Sequence, residues 1–209
     1  MEKEQKPQVV RGNIILSGFM GSGKSAVGRC LAEVLQMRFV DMDRYIEETS
    51  GTAISAIFAL QGEAAFRQME AETVKELAKE QNCVIAAGGG TLLQPANAEA
   101  FHAGGGKIYY LDVPLRALQE RLKRDKRRPL LQVEDRNAVV EKLLNERRPG
   151  YIALSDEVVD AGAPTVVVVR RICALLGVEI PKNTAGADGI LSHGKKHWHG
   201  KRNSAAGKN

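Results

Sequence analysis

The chain has 209 residues, of which 44% are hydrophobic and 26% are charged, and its formal net charge is +5. These proportions are those of a globular protein, and they exclude global disorder. The length allows one domain with a full core and leaves no room for a second domain of ordinary size. Residues 181–209 hold six basic residues and one acidic residue, and this difference of five equals the whole net charge. Residues 1–180 are therefore formally neutral, so the charge does not indicate nucleic-acid binding by the folded part.

Composition also sets the expected organisation and location. We expect residues 1–11 to be a flexible N-terminus, residues 12–180 to be the domain, and residues 181–209 to be a basic, disordered tail with histidines. The N-terminal segment has no apolar stretch of the kind found in signal peptides, and no aliphatic run is long enough to cross a bilayer. The three cysteines are widely spaced, which is typical of reduced, buried thiols. A cytoplasmic protein without membrane contact is expected.

Apolar segments alternate with segments of helical periodicity, a pattern that predicts an α/β fold with a five-stranded parallel sheet flanked by helices. The predicted strands are short and aliphatic: Asn13–Ser17, Arg38–Asp41, Cys83–Ala87, Lys107–Asp112 and Glu157–Asp160. The predicted helices show apolar residues three and four positions apart or begin with proline: the segment after the first strand, then approximately Glu63–Glu80, Pro114–Arg124, Arg136–Tyr151 and Pro164–Leu176.

A glycine-rich segment connects the first predicted strand to the first predicted helix. The sequence Gly18-Phe-Met-Gly-Ser-Gly-Lys-Ser25 matches the phosphate-binding pattern GxxxxGK[ST], the P-loop, in the context that the pattern requires. Its backbone N–H groups can surround phosphate oxygens, Lys24 can neutralise the β- and γ-phosphates, and Ser25 can ligate Mg²⁺. A plain glycine-rich turn with an N-capping serine is the alternative. We therefore expect ATP as a ligand, held by the residues Gly21, Ser22, Gly23, Lys24, Ser25 and Ala26.

Two carboxylates, Asp41 and Asp43, follow the second predicted strand. The carboxyl ends of parallel strands line the ligand crevice, so these side chains are expected near the phosphate loop. One carboxylate can hold a water on Mg²⁺, and the other can orient an acceptor hydroxyl or take its proton. Alternatively, one of them only caps the next helix.

A second charged group and three glycines complete the candidate acceptor site. Arg67 lies four residues after Glu63 and three before Glu70, which is either an ordinary helix-surface arrangement or a clamp for a substrate carboxylate. The third predicted strand leads into Gly88–Gly90. Three glycines in a row permit a ligand to approach the backbone closely, although a flexible turn has the same composition.

Six segments in this order resemble the shikimate kinase family: GFMGSGKSAVGR, FVDMD, GEAAFRQME, AAGGGT, RDKRRPLL and ERRPGY, within residues 12–176. The resemblance implies a P-loop kinase of the nucleoside-monophosphate-kinase-like type that transfers phosphate from ATP to the 3-hydroxyl of shikimate. It implies that Asp41 acts near Mg²⁺ through a water and that Asp43 binds the ring hydroxyls and acts as the base. It also implies that Arg67 and Arg147 hold the carboxylate, with the adjacent Arg148 as the alternative, and that Gly88, Gly89 and Gly90 line the ring.

A basic segment, Glu120–Leu131, is either a solvated helix end or a lid that closes over ATP. By resemblance, Arg128 is the lid arginine that reaches the transferred phosphoryl, and Arg121 and Pro164 flank the adenine. The family also suggests a monomer.

Two other functions are weighed against shikimate phosphorylation. A kinase for another small hydroxy acid or polyol, such as gluconate, would share the phosphate loop but has no evident need for two arginines far from the phosphates. A regulatory module that binds nucleotide without chemistry would be expected to lack the metal-binding, base or lid groups, all of which this sequence contains.

Overall fold

The computed structural model describes residues 12–123, residue 125 and residues 131–179. All of these belong to one compact unit, Met1–Glu179. The expected flexible N-terminus, the basic tail and Arg128 lie outside the described residues.

The sheet has five parallel strands in the order β2-β3-β1-β4-β5. The strands are β1 (Ile14–Ser17), β2 (Arg38–Asp41), β3 (Cys83–Ala86), β4 (Lys107–Asp112) and β5 (Glu157–Asp160). The predicted fold class and all five predicted strands are confirmed. In the register, Asp41 pairs with Ala86 and Ser17 pairs with Tyr110. The segments that follow β1, β2, β3 and β4 therefore start from one edge of the sheet.

Seven helices and one short 3₁₀ turn, Thr91–Leu93, are found among the described residues. The helices are α1 (Lys24–Leu35), α2 (Met42–Ser50), α3 (Ile54–Leu77), α4 (Pro95–Ala103), α5 (Leu115–Leu122), α6 (Arg136–Ala153) and α7 (Thr165–Leu175). The periodicity of the sequence predicts neither α2 nor α4, and only the cap interpretation of Asp41 and Asp43 implies a helix after β2. Only two residues of α2 are buried, Met42 and Ile46, so its apolar stripe is too short to give a periodic signal.

Helix α3 begins nine residues before the predicted start at Glu63, and it is interrupted at Gly62, whose φ is 80° and ψ is 176°. Helix α3 packs with α2 through a small apolar cluster of Ile46 from α2, Ile57 from before Gly62 and Phe66 from after it. This cluster is separate from the main core beneath the sheet. The arrangement holds the start of α2, and with it Asp43, beside the carboxyl edge of the sheet.

The sheet is covered by helices on both faces, as the uninterrupted aliphatic strands predict. All four residues of β1 and all four of β3 are buried. The three cysteines are buried free thiols, as expected. Among the described residues, no helix combines the length and the apolar character that crossing a membrane requires.

Candidate active site

The phosphate loop lies between β1 and α1, as predicted. Gly21 and Gly23 have φ values of 78° and 92°, a conformation that an L side chain rarely adopts, and this turn brings the chain into the first residue of α1. The ammonium of Lys24 donates hydrogen bonds to the carbonyl oxygens of Gly18 (2.6 Å) and Phe19 (3.2 Å). The positive end of α1 and the Lys24 ammonium thus lie at one loop, an arrangement suited to bind phosphate.

Ser25 and Asp41 are in contact across the loop. The Ser25 hydroxyl donates a 2.6 Å hydrogen bond to Oδ2 of Asp41, and Oδ1 of Asp41 accepts the backbone N–H of Arg44 at 3.5 Å. Asp41 therefore caps α2, as one interpretation expected, and its other oxygen faces the phosphate loop, while its part in holding Mg²⁺ stays a prediction. A hydroxyl and a carboxylate at this spot are oxygen donors of the type that Mg²⁺ prefers, so the residues present fit a magnesium ion.

A cleft of about 250 Å³ adjoins the phosphate loop. Arg121 crosses its wall, donating to the carbonyl oxygens of Gly21 (3.2 Å) and Ala161 (3.3 Å). Pro164, at the start of α7, lines the same cleft, and Val27 and Val168 supply apolar surface. The structure thus brings the two predicted adenine-flanking residues together. Predicted Ala26 is exposed in the first turn of α1.

The three glycines after β3 meet the predicted acceptor residues. A Cβ atom added at Gly88 would lie 2.9 Å from Oδ1 of Asp43 and 2.7 Å from Oε1 of Glu70. A Cβ atom added at Gly90 would lie 2.6 Å from Nη1 of Arg67. Real Cβ atoms do not approach other atoms this closely, so a side chain at Gly88 or Gly90 would displace these carboxylates or this guanidinium from their positions against the loop.

Arg67 lies between Glu63 and Glu70 and pairs with both. Its guanidinium contacts Glu70 at 2.5 Å and Glu63 at 2.8 Å. Partial burial acts to lower the pKa of Arg67, but the hydrogen bonds and charges of Glu70 and Glu63 more than offset this effect, so its pKa is raised. The Glu70 carboxylate is buried, whereas Glu63 is exposed. Glu70 is therefore the partner that fixes the direction of Arg67.

Arg147 and Arg148 point to different places. Arg148 forms a 2.6 Å ion pair with Asp112 at the end of β4. Arg147 lies close to the hydroxyl of Tyr151, which donates a 2.5 Å hydrogen bond to the carbonyl oxygen of Gly89. Burial raises the pKa of Tyr151, and the positive charges of Arg147 and Arg67 act against that effect. Both Arg147 and Arg67 therefore lie near one phenol beside the glycine loop.

Sequence reasoning did not identify three residues of this network: Tyr151, Thr91 and Asn97. The Thr91 hydroxyl donates a hydrogen bond to Glu70, and Asn97 donates a 2.9 Å hydrogen bond to the Thr91 carbonyl oxygen. Thr91 and Asn97 are buried polar residues in segments that carry no periodic signal. Tyr151 was visible only as part of a family motif.

The predicted lid is described at its two ends. The Arg136 guanidinium donates hydrogen bonds to the carbonyl oxygens of Leu122 (2.9 Å), Lys123 (2.6 Å) and Leu131 (2.9 Å). Residues 124 and 126–130, including Arg128, lie outside the described part, so the lid and its arginine remain predictions.

A phosphate loop between β1 and α1 of a five-stranded parallel sheet, facing carboxylates and arginines across the same sheet edge, defines a P-loop kinase of small molecules. The family described as shikimate kinase matches residues 20–176. The shikimate kinase of Legionella pneumophila is 45% identical over 159 residues, which cover 76% of this chain and 90% of that protein. That of Francisella tularensis subsp. holarctica is 41% identical over 166 residues, covering 78% and 94%.

A solved structure of shikimate kinase from Acinetobacter baumannii in complex with shikimate has a TM-score of 0.74 and 36% sequence identity, and it matches 79% of this chain and 93% of that chain. The chain belongs to the shikimate kinase family. The predicted enzyme class, an ATP-dependent shikimate kinase, is confirmed.

Proposed function

We propose that this site transfers the γ-phosphoryl group of ATP to the 3-hydroxyl of shikimate, with the residue roles given below. The observation that carries the proposal is the meeting of Asp43, Arg67 and Arg147 around Gly88–Gly90. Asp43 contacts the first glycine, Arg67 the third, and Arg147 lies by the tyrosine that binds the second. A carboxylate and two guanidinium groups beside one glycine loop suit an acceptor that carries both a hydroxyl and a carboxylate.

On the nucleotide side, the phosphate loop and Lys24 bind and orient the β- and γ-phosphates, while Arg121 and Pro164 flank the adenine. Ser25, and Asp41 through a water, would hold Mg²⁺, which neutralises phosphate charge when it is bound. The 2.6 Å contact between the Ser25 hydroxyl and Asp41 supports this assignment. Arg128 is assigned to the transferred phosphoryl on the family resemblance alone.

On the acceptor side, Arg67 and Arg147 bind the carboxylate and so fix the ring. Asp43 then orients the hydroxyl in line with the phosphoryl group and takes its proton as the oxygen attacks. No covalent enzyme intermediate is required, because positioning and charge stabilisation account for most catalysis of phosphoryl transfer.

The test is ADP release measured with shikimate and, separately, with gluconate. We expect turnover with shikimate and little with gluconate. The variant Asp43→Asn should lower kcat by roughly 10²- to 10⁴-fold, the usual contribution of general base catalysis, without weakening ATP binding. Equal turnover with both acceptors would contradict the proposed substrate, and full activity of Asp43→Asn would remove its role as the base.

We also propose that residues 12–180 form the whole kinase domain and that the protein is a cytoplasmic monomer. The family match to residues 20–176 supports the first point. Activity of a chain ending at residue 180 would test the bounds of the domain. Sedimentation of the full chain would test whether the protein is a monomer.

A further inference from the structure

Thr91 is the residue directly after the three glycines, and its side chain is fully buried, at 0% exposure. Its hydroxyl donates a hydrogen bond to Oε1 of Glu70. Thr91 has no role in the proposed reaction. An apolar residue of the same size would fill the space equally well, so packing alone does not require a hydroxyl here. The hydrogen bond to the buried carboxylate is what the hydroxyl adds.

Glu70 needs this partner. The residue is only 1% exposed, and its two carboxylate oxygens are divided between two neighbours: Oε1 accepts from Thr91, and Oε2 pairs with Arg67 at 2.5 Å. A buried charge is stable only when its oxygens are satisfied. With one oxygen fixed by Thr91, the plane of the carboxylate is set, and so is the direction in which it holds the Arg67 guanidinium.

Thr91 is itself held from both sides. Its backbone N–H donates to the carbonyl oxygen of Gly88 at 3.3 Å, and its carbonyl oxygen accepts from the side chain of Asn97 at 2.9 Å. The space that a Gly88 side chain would occupy lies 2.6 Å from the Thr91 hydroxyl and 2.7 Å from Glu70. The threonine is therefore part of a rigid connection between the glycine loop and α3.

We propose that Thr91 is a positioning residue that orients Glu70, so that Arg67 is presented to the acceptor carboxylate in one fixed direction. The inference rests on the proposed function and deepens it. Thr91 touches neither reacting group. It acts through Glu70 and Arg67 on the binding of the acceptor carboxylate. An effect limited to that carboxylate can be distinguished from a general effect on folding.

The test compares Thr91→Val, which keeps the shape but removes the hydroxyl, with Thr91→Ser, which keeps the hydroxyl. Steady-state kinetics are measured with shikimate and with its methyl ester, which lacks the negative charge. We expect Thr91→Val to raise KM for shikimate about tenfold, the size of a lost hydrogen bond to a charged group. KM for the ester and KM for ATP should stay within about twofold of the wild type, and Thr91→Ser should restore KM for shikimate.

A double-variant experiment adds an independent readout. In an Arg67→Lys background, where the planar fork is absent, adding Thr91→Val should raise KM for shikimate by less than about threefold. An effect as large as in the wild-type background would overturn the proposal.

The other outcomes are also decisive. If Thr91→Val leaves KM for shikimate unchanged, or raises KM for shikimate, the ester and ATP alike together with a lower Tm, Thr91 is not a positioning residue. Absence of shikimate turnover in the wild type would instead overturn the proposed function, and the inference with it.

Discussion

The nucleotide side and the acceptor side of this site are built in different ways. The nucleotide side is made largely of backbone, because the phosphate loop and the first turn of α1 are contiguous in sequence and their conformation depends on glycines such as Gly21 and Gly23. The proposed acceptor side combines side chains from three separate segments with a glycine loop from a fourth: α2 supplies Asp43, α3 supplies Arg67, α6 supplies Arg147, and the loop follows β3.

This difference affects how each side tolerates change. A backbone site is maintained by the local conformation of one segment. A side-chain site depends on partners that hold each group in place, as Glu70 holds Arg67 and as Tyr151 connects α6 to Gly89. We therefore expect changes on the nucleotide side to affect every acceptor equally, and changes on the acceptor side to affect acceptors according to their chemistry.

Among the variants that separate the two sides, the largest effect is expected when Lys24→Met is compared with Arg67→Lys. Lys24→Met removes a positive charge from the phosphates, so we expect kcat to fall by roughly 10²- to 10³-fold with shikimate and with its methyl ester alike. Arg67→Lys keeps a cation beside Glu70 but loses the planar fork, so we expect KM to rise roughly 10-fold for shikimate and little for the ester. Steady-state kinetics with both acceptors measure this.

Lysine is chosen at position 67 because alanine would leave the buried Glu70 carboxylate without its ion-pair partner, which destabilises a protein by about 3–5 kcal/mol. A loss of activity in Arg67→Ala would then report unfolding as well as binding. If Lys24→Met discriminated between the two acceptors, or Arg67→Lys did not, the division into two sides would be wrong.

An intermediate effect is expected for a matched pair on α6. Arg147→Gln should raise KM for shikimate by roughly 10- to 150-fold, which corresponds to about 1.5–3 kcal/mol for hydrogen bonds to a charged group. Arg148→Gln removes an ion pair to Asp112 from a side chain that is 51% exposed. Exposed ion pairs contribute about 0–1 kcal/mol, so KM should change less than about fivefold.

This pair decides which guanidinium binds the acceptor, a point that the sequence left open. Isothermal titration of shikimate into each variant measures the same difference without turnover. A larger loss of affinity in Arg148→Gln than in Arg147→Gln would reverse the assignment.

Much of this molecule could be predicted from its sequence, because the decisive signals are local. The strands are continuous aliphatic segments, and the phosphate loop is a contiguous pattern between a strand and a helix. The placement of Asp41 and Asp43 at the same edge followed from the rule that parallel strands share a carboxyl edge. The cap interpretation of Asp41 does not compete with the metal interpretation, since one carboxylate oxygen accepts the Arg44 N–H at the start of α2 and the other accepts the Ser25 hydroxyl at the phosphate loop.

What could not be predicted depends on contacts between distant segments. Arg147 and Arg148 are adjacent, and only the packing of α6 shows that one faces Tyr151 and the other Asp112. Thr91 ends the AAGGGT segment of the family resemblance, but no local pattern predicts its hydrogen bond, because its partner Glu70 lies 21 residues earlier. The start of α3 was missed because Gly62 breaks the helix, and so interrupts its periodicity.

The smallest kinetic effect is expected on β4, the strand next to β1, which leads into the phosphate loop. Tyr109 and Tyr110 are neighbours and so point to opposite faces of the sheet. The Tyr110 hydroxyl donates a 3.0 Å hydrogen bond to Asp112, and its ring stacks on Tyr151. The Tyr109 hydroxyl is buried and finds no hydrogen-bond partner in the part of the chain that the structure describes. Tyr109→Phe should therefore leave kinetics unchanged.

The effect of Tyr109→Phe should appear in the free energy of unfolding and in the dependence of that free energy on pH. An unpaired buried hydroxyl costs about 1–3 kcal/mol, so Tyr109→Phe should raise the free energy of unfolding at pH 7. Burial, then the charges of Glu157 and Asp156, raises the pKa of Tyr109 to about 12. An unfolded tyrosine has a pKa of about 10, so wild-type stability is retained below about pH 10 and falls as the pH rises toward 12, because only the unfolded state releases the proton.

Denaturant unfolding at pH 7 and pH 11 therefore measures two quantities for Tyr109→Phe. The variant should be more stable than the wild type at pH 7, and its advantage should be larger at pH 11. Tyr110→Phe is the matched control, because it removes a hydroxyl that has a partner and should lower stability at pH 7. If both variants lowered stability at pH 7 to the same extent, the hydroxyl of Tyr109 would have to be satisfied, and the two faces of β4 would not differ in the way inferred.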